Sequence, residues 1–252
     1  MVNYNATEKI PMKTFILAGG EGTRLRPYTY SAPKPMLKVG GKPILEYVID
    51  NLKRAGLTEL VITCGYRHEQ ITDYFGDGAK HGVKIEYSIE KEKLNTAGSI
   101  LSYRGKVKET FVVVMGDHLT NLDLSEMLKS HKKSGAIATI ALYHSTLPLE
   151  YGVANIERGN VIGFTEKPLL AHLYNTAIYV FEPEIFDYIK AKEDFAKDVF
   201  PRVLAAKKKI NAHVFDDVWF DIGRVSDYER LDEMFKVVKL ACDLNLGLKP
   251  HV

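Results

Sequence analysis

The turn Gly19-Gly20-Glu21-Gly22-Thr23-Arg24 is the first segment of the chain with the makings of a binding site. Glycines leave backbone N–H groups open to an anion, and the guanidinium that follows can fork onto phosphate oxygens. Lys34 sits between Pro33 and Pro35, whose fixed φ stiffens the segment carrying its charge. Asp117 follows the wholly apolar run Phe111-Val112-Val113-Val114-Met115 and Gly116. An ionised carboxylate at the end of such a run requires a cation as partner. Plainer readings stand beside these: a glycine turn that only reverses the chain, solvated surface cations, and an aspartate that caps a helix or forms a turn. Two better-known phosphate loops are excluded. Leu25 occupies the place of the third glycine of a dinucleotide fingerprint, and Gly40-Gly41-Lys42-Pro43 lacks the Ser/Thr of a P-loop.

The elements that must position these residues can be read from periodicity. Residues 14–18 form a buried strand ending in the glycine turn, with Leu17 and Ala18 at its tip. Ile44, Leu45, Val48, Ile49 and Leu52 share one helical face, with Pro43 at its start and Gly56 just past its end. Strands are predicted at residues 60–63, 83–89 and 111–115, with a helix at 69–75 between the first two. The last strand is apolar on both faces, as a central parallel strand should be. This alternation predicts an α/β fold with a Rossmann-like, mostly parallel central sheet and helices on both faces. Ligands of such sheets sit beyond the carboxyl ends of the strands, which is where Ala18 and Asp117 lie. After about residue 145 the pattern changes to short strands, with a hairpin of residues 153–156 and 161–165 around Arg158-Gly159-Asn160. This suggests a small lobe laid on the sheet. Residues 175–181 and 218–220 read as further strands, and 228–240 as a closing amphipathic helix. Residues 1–12 are expected to be a disordered leader and 13–252 a single domain.

Composition narrows the function classes. The 252 residues, 46% of them hydrophobic, can bury a core without a disulfide or metal staple. Lys and Arg number 34 against 32 Asp and Glu, a net charge of +2 that leaves no footprint for nucleic acid or an anionic membrane. Any anion must be held by local groups. Cys64 and Cys242 are far apart and fit neither a disulfide framework nor a zinc site. No signal-peptide core or membrane span is apparent, so the Asn5-Ala6-Thr7 triplet is discounted as a glycosylation site and a cytoplasmic protein is expected. The oligomeric state, including a homo-oligomer, stays open.

The segments 19–27, Pro33-Lys34-Pro35-Met36-Leu37 and Gly41-Lys42-Pro43-Ile44-Leu45 resemble, in order and spacing, the amino-terminal signature of the sugar-1-phosphate nucleotidyltransferases. The likeness continues through Leu94-Asn95-Thr96-Ala97-Gly98, Gly116-Asp117, Tyr151-Gly152-Val153, Phe164-Thr165-Glu166-Lys167-Pro168, Asn175 and Trp219-Phe220-Asp221-Ile222-Gly223, so it covers roughly residues 13–235. The resemblance implies in-line attack of a sugar-phosphate oxygen on the α-phosphorus of a nucleoside triphosphate, with loss of pyrophosphate and help from Mg²⁺. It implies that Arg24 binds the leaving phosphates, that Lys34 reaches the phosphates at the reaction centre, and that Asp117 and Asp221 hold the metal. The nucleotide would lie on Leu17, Ala18, Gly19, Gly20, Gly22, Thr23, Arg24, Glu90, Asn95, Thr96 and Gly98. The lobe would bind the sugar, with Lys167 on its phosphate and Glu166, Asn175 and the backbone near Gly152 on its hydroxyls. The plainer reading of Glu166 and Lys167 is an exposed strand pair with alternating faces. His118, beside Asp117, could contact a metal-bound water or be a satisfied core histidine.

The chain departs from the family pattern in two places. Asn95 stands where a glycine is common, and Thr176-Ala177 replaces Ala-Gly, which puts a Cβ on the sugar's approach. The long carboxy-terminal β-helix of some relatives, and the functions tied to it, are not expected here. Glu90 bears on the base. Relatives specific for uracil or thymine carry a glutamine in the matching segment, whereas an ionised carboxylate only accepts and suits the N1–H and N2 amino donors of guanine. The other reading of Glu90 is a solvated strand end beside Lys91 and Lys93. The expectation is therefore a mannose-1-phosphate guanylyltransferase, the alternative a thymidylyl- or uridylyltransferase acting on glucose 1-phosphate. A non-catalytic regulatory relative would not need Arg24, Lys34, Asp117, Lys167 and Asp221 together.

Overall fold

The computed structural model describes residues 10–243. The chain begins with β1 (Ile10–Ala18). Two short strands, β2 (Lys38–Val39) and β3 (Lys42–Pro43), lead into α1 (Ile44–Arg54), β4 (Leu57–Cys64), α2 (His68–Phe75) and β5 (Lys84–Ile89). A single helical turn, α3 (Asn95–Gly98), precedes β6 (Phe111–Met115), β7 (His118–Thr120) and α4 (Leu124–Ser134). Then follow β8 (Ala138–Pro148), β9 (Val153–Glu157), β10 (Asn160–Thr165) and β11 (Leu169–Phe181). A π-helical turn (Phe195–Val199) runs into α5 (Phe200–Ala205), and β12 (Ile210–Phe215), β13 (Trp219–Asp221) and α6 (Val225–Asp243) complete the described chain.

Seven strands make one sheet in the order β12-β8-β11-β6-β1-β4-β5. The ladders of β1 with β4 and β6, β4 with β5, and β12 with β8 are parallel; only those of β11 are antiparallel. The expected mostly parallel sheet is observed. Alternation along β1 sends Phe15 and Leu17 into one core and Ile16 and Ala18 into the other. On one face Leu45, Ile49 and Leu52 of α1, Ile71 and Phe75 of α2, and Leu124 and Met127 of α4 cover the sheet. On the other, Phe195, Val199, Phe200 and Val203 pack against Phe111 and Phe181. A third cluster of Leu25, Leu37, Val39, Ile44, Leu119, Ile222 and Leu231 fastens α6 beneath the glycine turn. No helix among the described residues is long and apolar enough to cross a membrane.

β1 begins at Ile10, which pairs with Leu57 of β4, and Met12 packs against the core. Residues 1–9 lie outside the described residues. One expectation needs correction: the lobe is not laid on the sheet. β9 and β10 form a two-stranded hairpin of their own, exposed along its length except for half-buried Gly163. It is carried by the distal halves of β8 and β11, where Leu142 to Pro148 pair with Asn175 to Leu169. The strand expected at residues 175–181 is thus only the buried end of a 13-residue strand.

Candidate active site

The glycine turn leaves β1 where Leu17 and Ala18 are still buried. Gly19 passes so close to Glu90 that a Cβ would stand 2.7 Å from its Oε2. Gly22 has φ +61°, and a Cβ there would press on Thr29 and Lys34. The Gly22 position thus favours glycine for both space and conformation, whereas a Cβ at Gly19 would displace the end of the Glu90 side chain. The Thr29 hydroxyl donates to the Gly22 carbonyl at 2.9 Å, and Leu25 is buried just beyond. Exposed Arg24 is therefore held between two anchored positions, while Gly20 faces open space.

Lys34 is 8% exposed, rare for a lysine, and its burial requires partners. Its Nζ lies 2.5 Å from Asp117 Oδ2 and 3.6 Å from Asp221 Oδ1. Asp117 follows β6 through Gly116, whose N–H bonds the Leu17 carbonyl at 2.9 Å and ties the two strand ends together. Asp221 arrives from the far end of the chain because β13 pairs antiparallel with β7, with Asp221 directly opposite His118. His118 Nε2 stands 3.4 Å from Asp221 Oδ1 and 3.6 Å from Asp117 Oδ1, and Nδ1 donates to the Thr176 carbonyl at 3.0 Å. Burial alone would lower the His118 pKa, but the two carboxylates outweigh it and hold it above its ordinary value. His118 in turn, with help from Lys34 and Arg24, draws the Asp221 carboxyl down to about 2 against the opposing effect of burial. Both aspartates, Lys34 and Arg24 thus meet at one place, although Asp117 Oδ1 is buried without a hydrogen-bond partner.

A cleft of about 730 Å³ opens in front of this cluster. It is lined by Leu17 to Arg24, Lys34, Asp117, Glu90, Asn95 and Thr96, among others. Twelve residues of the expected nucleotide and reaction site are thereby brought together from five separate segments. At Glu90, burial raises the carboxyl pKa, while the nearby Ser99 and Thr63 hydroxyls act against it. Glu90 Oε1 is nevertheless buried without a partner of good geometry. Asn95 has φ +59°, so the asparagine replaces glycine where the left-handed backbone tolerates it best. Gly98 does not line the cleft. Its Cβ would strike the Lys192 backbone at 2.9 Å, and its N–H, like that of Ala97, donates to Glu193. The glycine there serves the docking of residues 192–194 onto α3.

Asp194, Gly65 and Tyr66 also line the cleft and were not among the expected residues. Asp194 accepts from Thr96 Oγ1 at 2.7 Å and caps the turn at Phe195 by accepting from the Ala196 and Lys197 N–H groups. Its place before a helical turn is a capping signal in the sequence, but nothing there shows that it reaches Thr96. The sugar-side set is less gathered. Gly152 and Glu166 touch, since a Cβ on Gly152 would lie 2.6 Å from Glu166 Oε2. Lys167 is exposed with φ +47°. Asn175 spends its side chain on its own turn, donating to the Tyr179 hydroxyl and accepting from the Ala177 N–H, both at 3.0 Å. None of these four lines the cleft. Ala177 has φ +55°, which explains why glycine is the commoner residue there.

Strand ends facing a cleft, a glycine turn with cations, and two converging carboxylates define an α/β protein with a candidate anion-binding site at the carboxyl ends of its strands. Residues 13–236 match the family model described as nucleotidyl transferase, and the chain belongs to that family. It is 38% identical to a UTP–glucose-1-phosphate uridylyltransferase of Synechocystis over 86% of this chain and 61% of that one. It is 37% identical to mannose-1-phosphate guanylyltransferase 1 of Arabidopsis thaliana over 86% of this chain and 63% of that one. The chain thus spans about three-fifths of the length of these relatives. It covers 97% of the D-glycero-alpha-D-manno-heptose 1-phosphate guanylyltransferase of Campylobacter jejuni, at 36% identity. Among solved structures it resembles HddC of Yersinia pseudotuberculosis, with a TM-score of 0.71 and 27% identity over 89% of this chain and 99% of that one, and a structure of HddC complexed with GMP-PN, with the same TM-score and coverage at 25% identity.

Proposed function

We propose that this chain transfers a nucleotidyl group from a nucleoside triphosphate to a sugar 1-phosphate and releases pyrophosphate, with Mg²⁺ as cofactor. The observation that carries the reading is the cluster of Lys34 with Asp117 and Asp221 at 2.5 and 3.6 Å, set beside the glycine turn and Arg24. In-line transfer between two anions asks for positioning and charge neutralisation rather than a covalent intermediate. Arg24 takes the leaving phosphates and Lys34 the phosphates at the reaction centre. Asp117 and Asp221 suit a hard divalent ion: both offer oxygen only, and the buried Asp117 Oδ1 has an unused acceptor site. Such an ion, when bound, supplies charge neutralisation at the reacting phosphates. Lys167 is assigned to the sugar phosphate, and Glu166, Asn175 and the backbone at Gly152 to the sugar hydroxyls.

GTP with mannose 1-phosphate is the preferred pair. Glu90 Oε1, buried at the cleft without a partner, is an acceptor waiting for donors such as those on the guanine edge. A second reading, UTP or dTTP with glucose 1-phosphate, draws on the likeness to the UTP–glucose-1-phosphate uridylyltransferase of Synechocystis. A matrix of nucleoside triphosphates against sugar 1-phosphates, read by pyrophosphate release, tests both. Absence of release with every pair would refute the reaction itself, and the preferred pair decides between the bases.

A further inference from the structure

His118 is fixed from three sides. Its Nδ1 donates to the carbonyl of Thr176, a residue with no exposure whose hydroxyl is itself bonded to the Ala141 carbonyl at 2.8 Å. The edge-to-face contact with Trp219, centroids 5.6 Å apart at 90°, sets the tilt of the ring. The β7–β13 ladder places Asp221 directly across from it. With the ring so held, Nε2 faces the Oδ1 atoms of both carboxylates, at 3.4 and 3.6 Å. Lys34 cannot do this alone. It approaches Asp117 through Oδ2, and its ammonium ends a flexible stem, whereas the imidazole is rigid and anchored to β11.

We infer that His118 is a positioning residue: it sets the spacing and facing of Asp117 and Asp221, and it ties them to the β11 turn that carries Asn175. The inference rests on the proposed role of the two aspartates as metal ligands. Groups that orient metal ligands from behind typically change metal affinity by about 10–100-fold when removed.

The test uses the full chain and Mn²⁺ alone as probe, titrated by calorimetry or electron paramagnetic resonance, with thermal unfolding in parallel. His118→Leu should weaken Mn²⁺ binding by about 10–100-fold with the unfolding midpoint held to within a few degrees. His118→Gln, whose amide nitrogen can reach the Nε2 position, should recover binding to within about tenfold of the wild type. Unchanged Mn²⁺ affinity in His118→Leu would overturn the inference, as would a wild-type chain that binds no Mn²⁺. So would a collapse of the unfolding midpoint matched by His118→Gln, which would make the histidine a packing residue only. Absence of pyrophosphate release from the wild type would strike the proposed reaction, while the Mn²⁺ titrations would still decide the role of His118.

Discussion

The Lys34 ammonium and the Asp117 carboxylate stand 2.5 Å apart, with side chains only 10% and 16% exposed. Each is the nearest opposite charge of the other, Asp221 and His118 standing about 3.6 Å off, and a charge withdrawn from water needs such a partner. Lys34→Met should therefore lose stability as well as turnover, toward the lower end of the roughly 3–5 kcal/mol seen when one partner of a buried pair is removed. Adding Asp117→Asn should restore much of the stability and none of the turnover. Chemical denaturation and pyrophosphate release separate the two effects; a double variant no more stable than the single one would show that the pair is not coupled.

Arg24→Ala and Lys167→Ala should divide the two anion sites. The first should impair use of the nucleotide, the second use of the sugar phosphate, each by at least about tenfold in kcat/KM for a charge-assisted contact of roughly 1.5–3 kcal/mol. Steady-state kinetics with each substrate varied in turn will show it. Equal effects on both substrates would dissolve the division.

Glu90→Gln should move nucleotide preference from GTP toward UTP or dTTP, because an amide can both donate and accept. Gly19→Ala should disturb the same preference, since its Cβ would meet Glu90 Oε2 at 2.7 Å and push the carboxylate aside. Ratios of kcat/KM for the competing nucleotides are the measurement, and an unmoved ratio in Glu90→Gln removes the residue from base recognition.

Chelation should abolish turnover reversibly, because the two aspartates supply only oxygen ligands. Excess EDTA followed by added Mg²⁺ or Mn²⁺ checks this in one assay. Full turnover in EDTA would leave Asp117 and Asp221 without their proposed purpose.

The loop that brings Asp194 to the cleft is held by Arg202, which donates to both carboxylate oxygens of Glu193 at 2.7 and 2.5 Å. These bonds depress the Glu193 carboxyl from its ordinary 4.5 to about 2, with burial opposing. A carboxyl depressed on folding contributes stability above its unfolded pKa and loses it as pH falls toward the folded one. The unfolding midpoint should thus fall between pH 4.5 and about 2 more steeply in the wild type than in Arg202→Met. Parallel slopes in the two proteins would mean that the clasp adds nothing to stability.

Much of this site is legible in the sequence because local rules govern it. The apolar runs from Phe15 to Ala18 and from Phe111 to Met115 specify strands, and the glycines at their ends mark turns, which at Gly22 take the left-handed backbone that favours glycine. The motif order then marks Arg24, Lys34 and Asp117 as companions. What the tertiary structure decided are relations between distant segments that no local rule reaches. The register of β7 against β13 puts Asp221 opposite His118, and the docking of residues 192–194 onto α3 turns Gly98 into a packing glycine and Asp194 into a cleft residue. The same holds for the distal arm. Strands β8 and β11 continue past the core as an exposed ribbon, and their alternation there looks the same in sequence whether a second layer covers it or not. Backbone pairing and charge neutralisation act through space, so the partners of Lys34 and His118 were chosen by the folded chain and not by their neighbours in sequence.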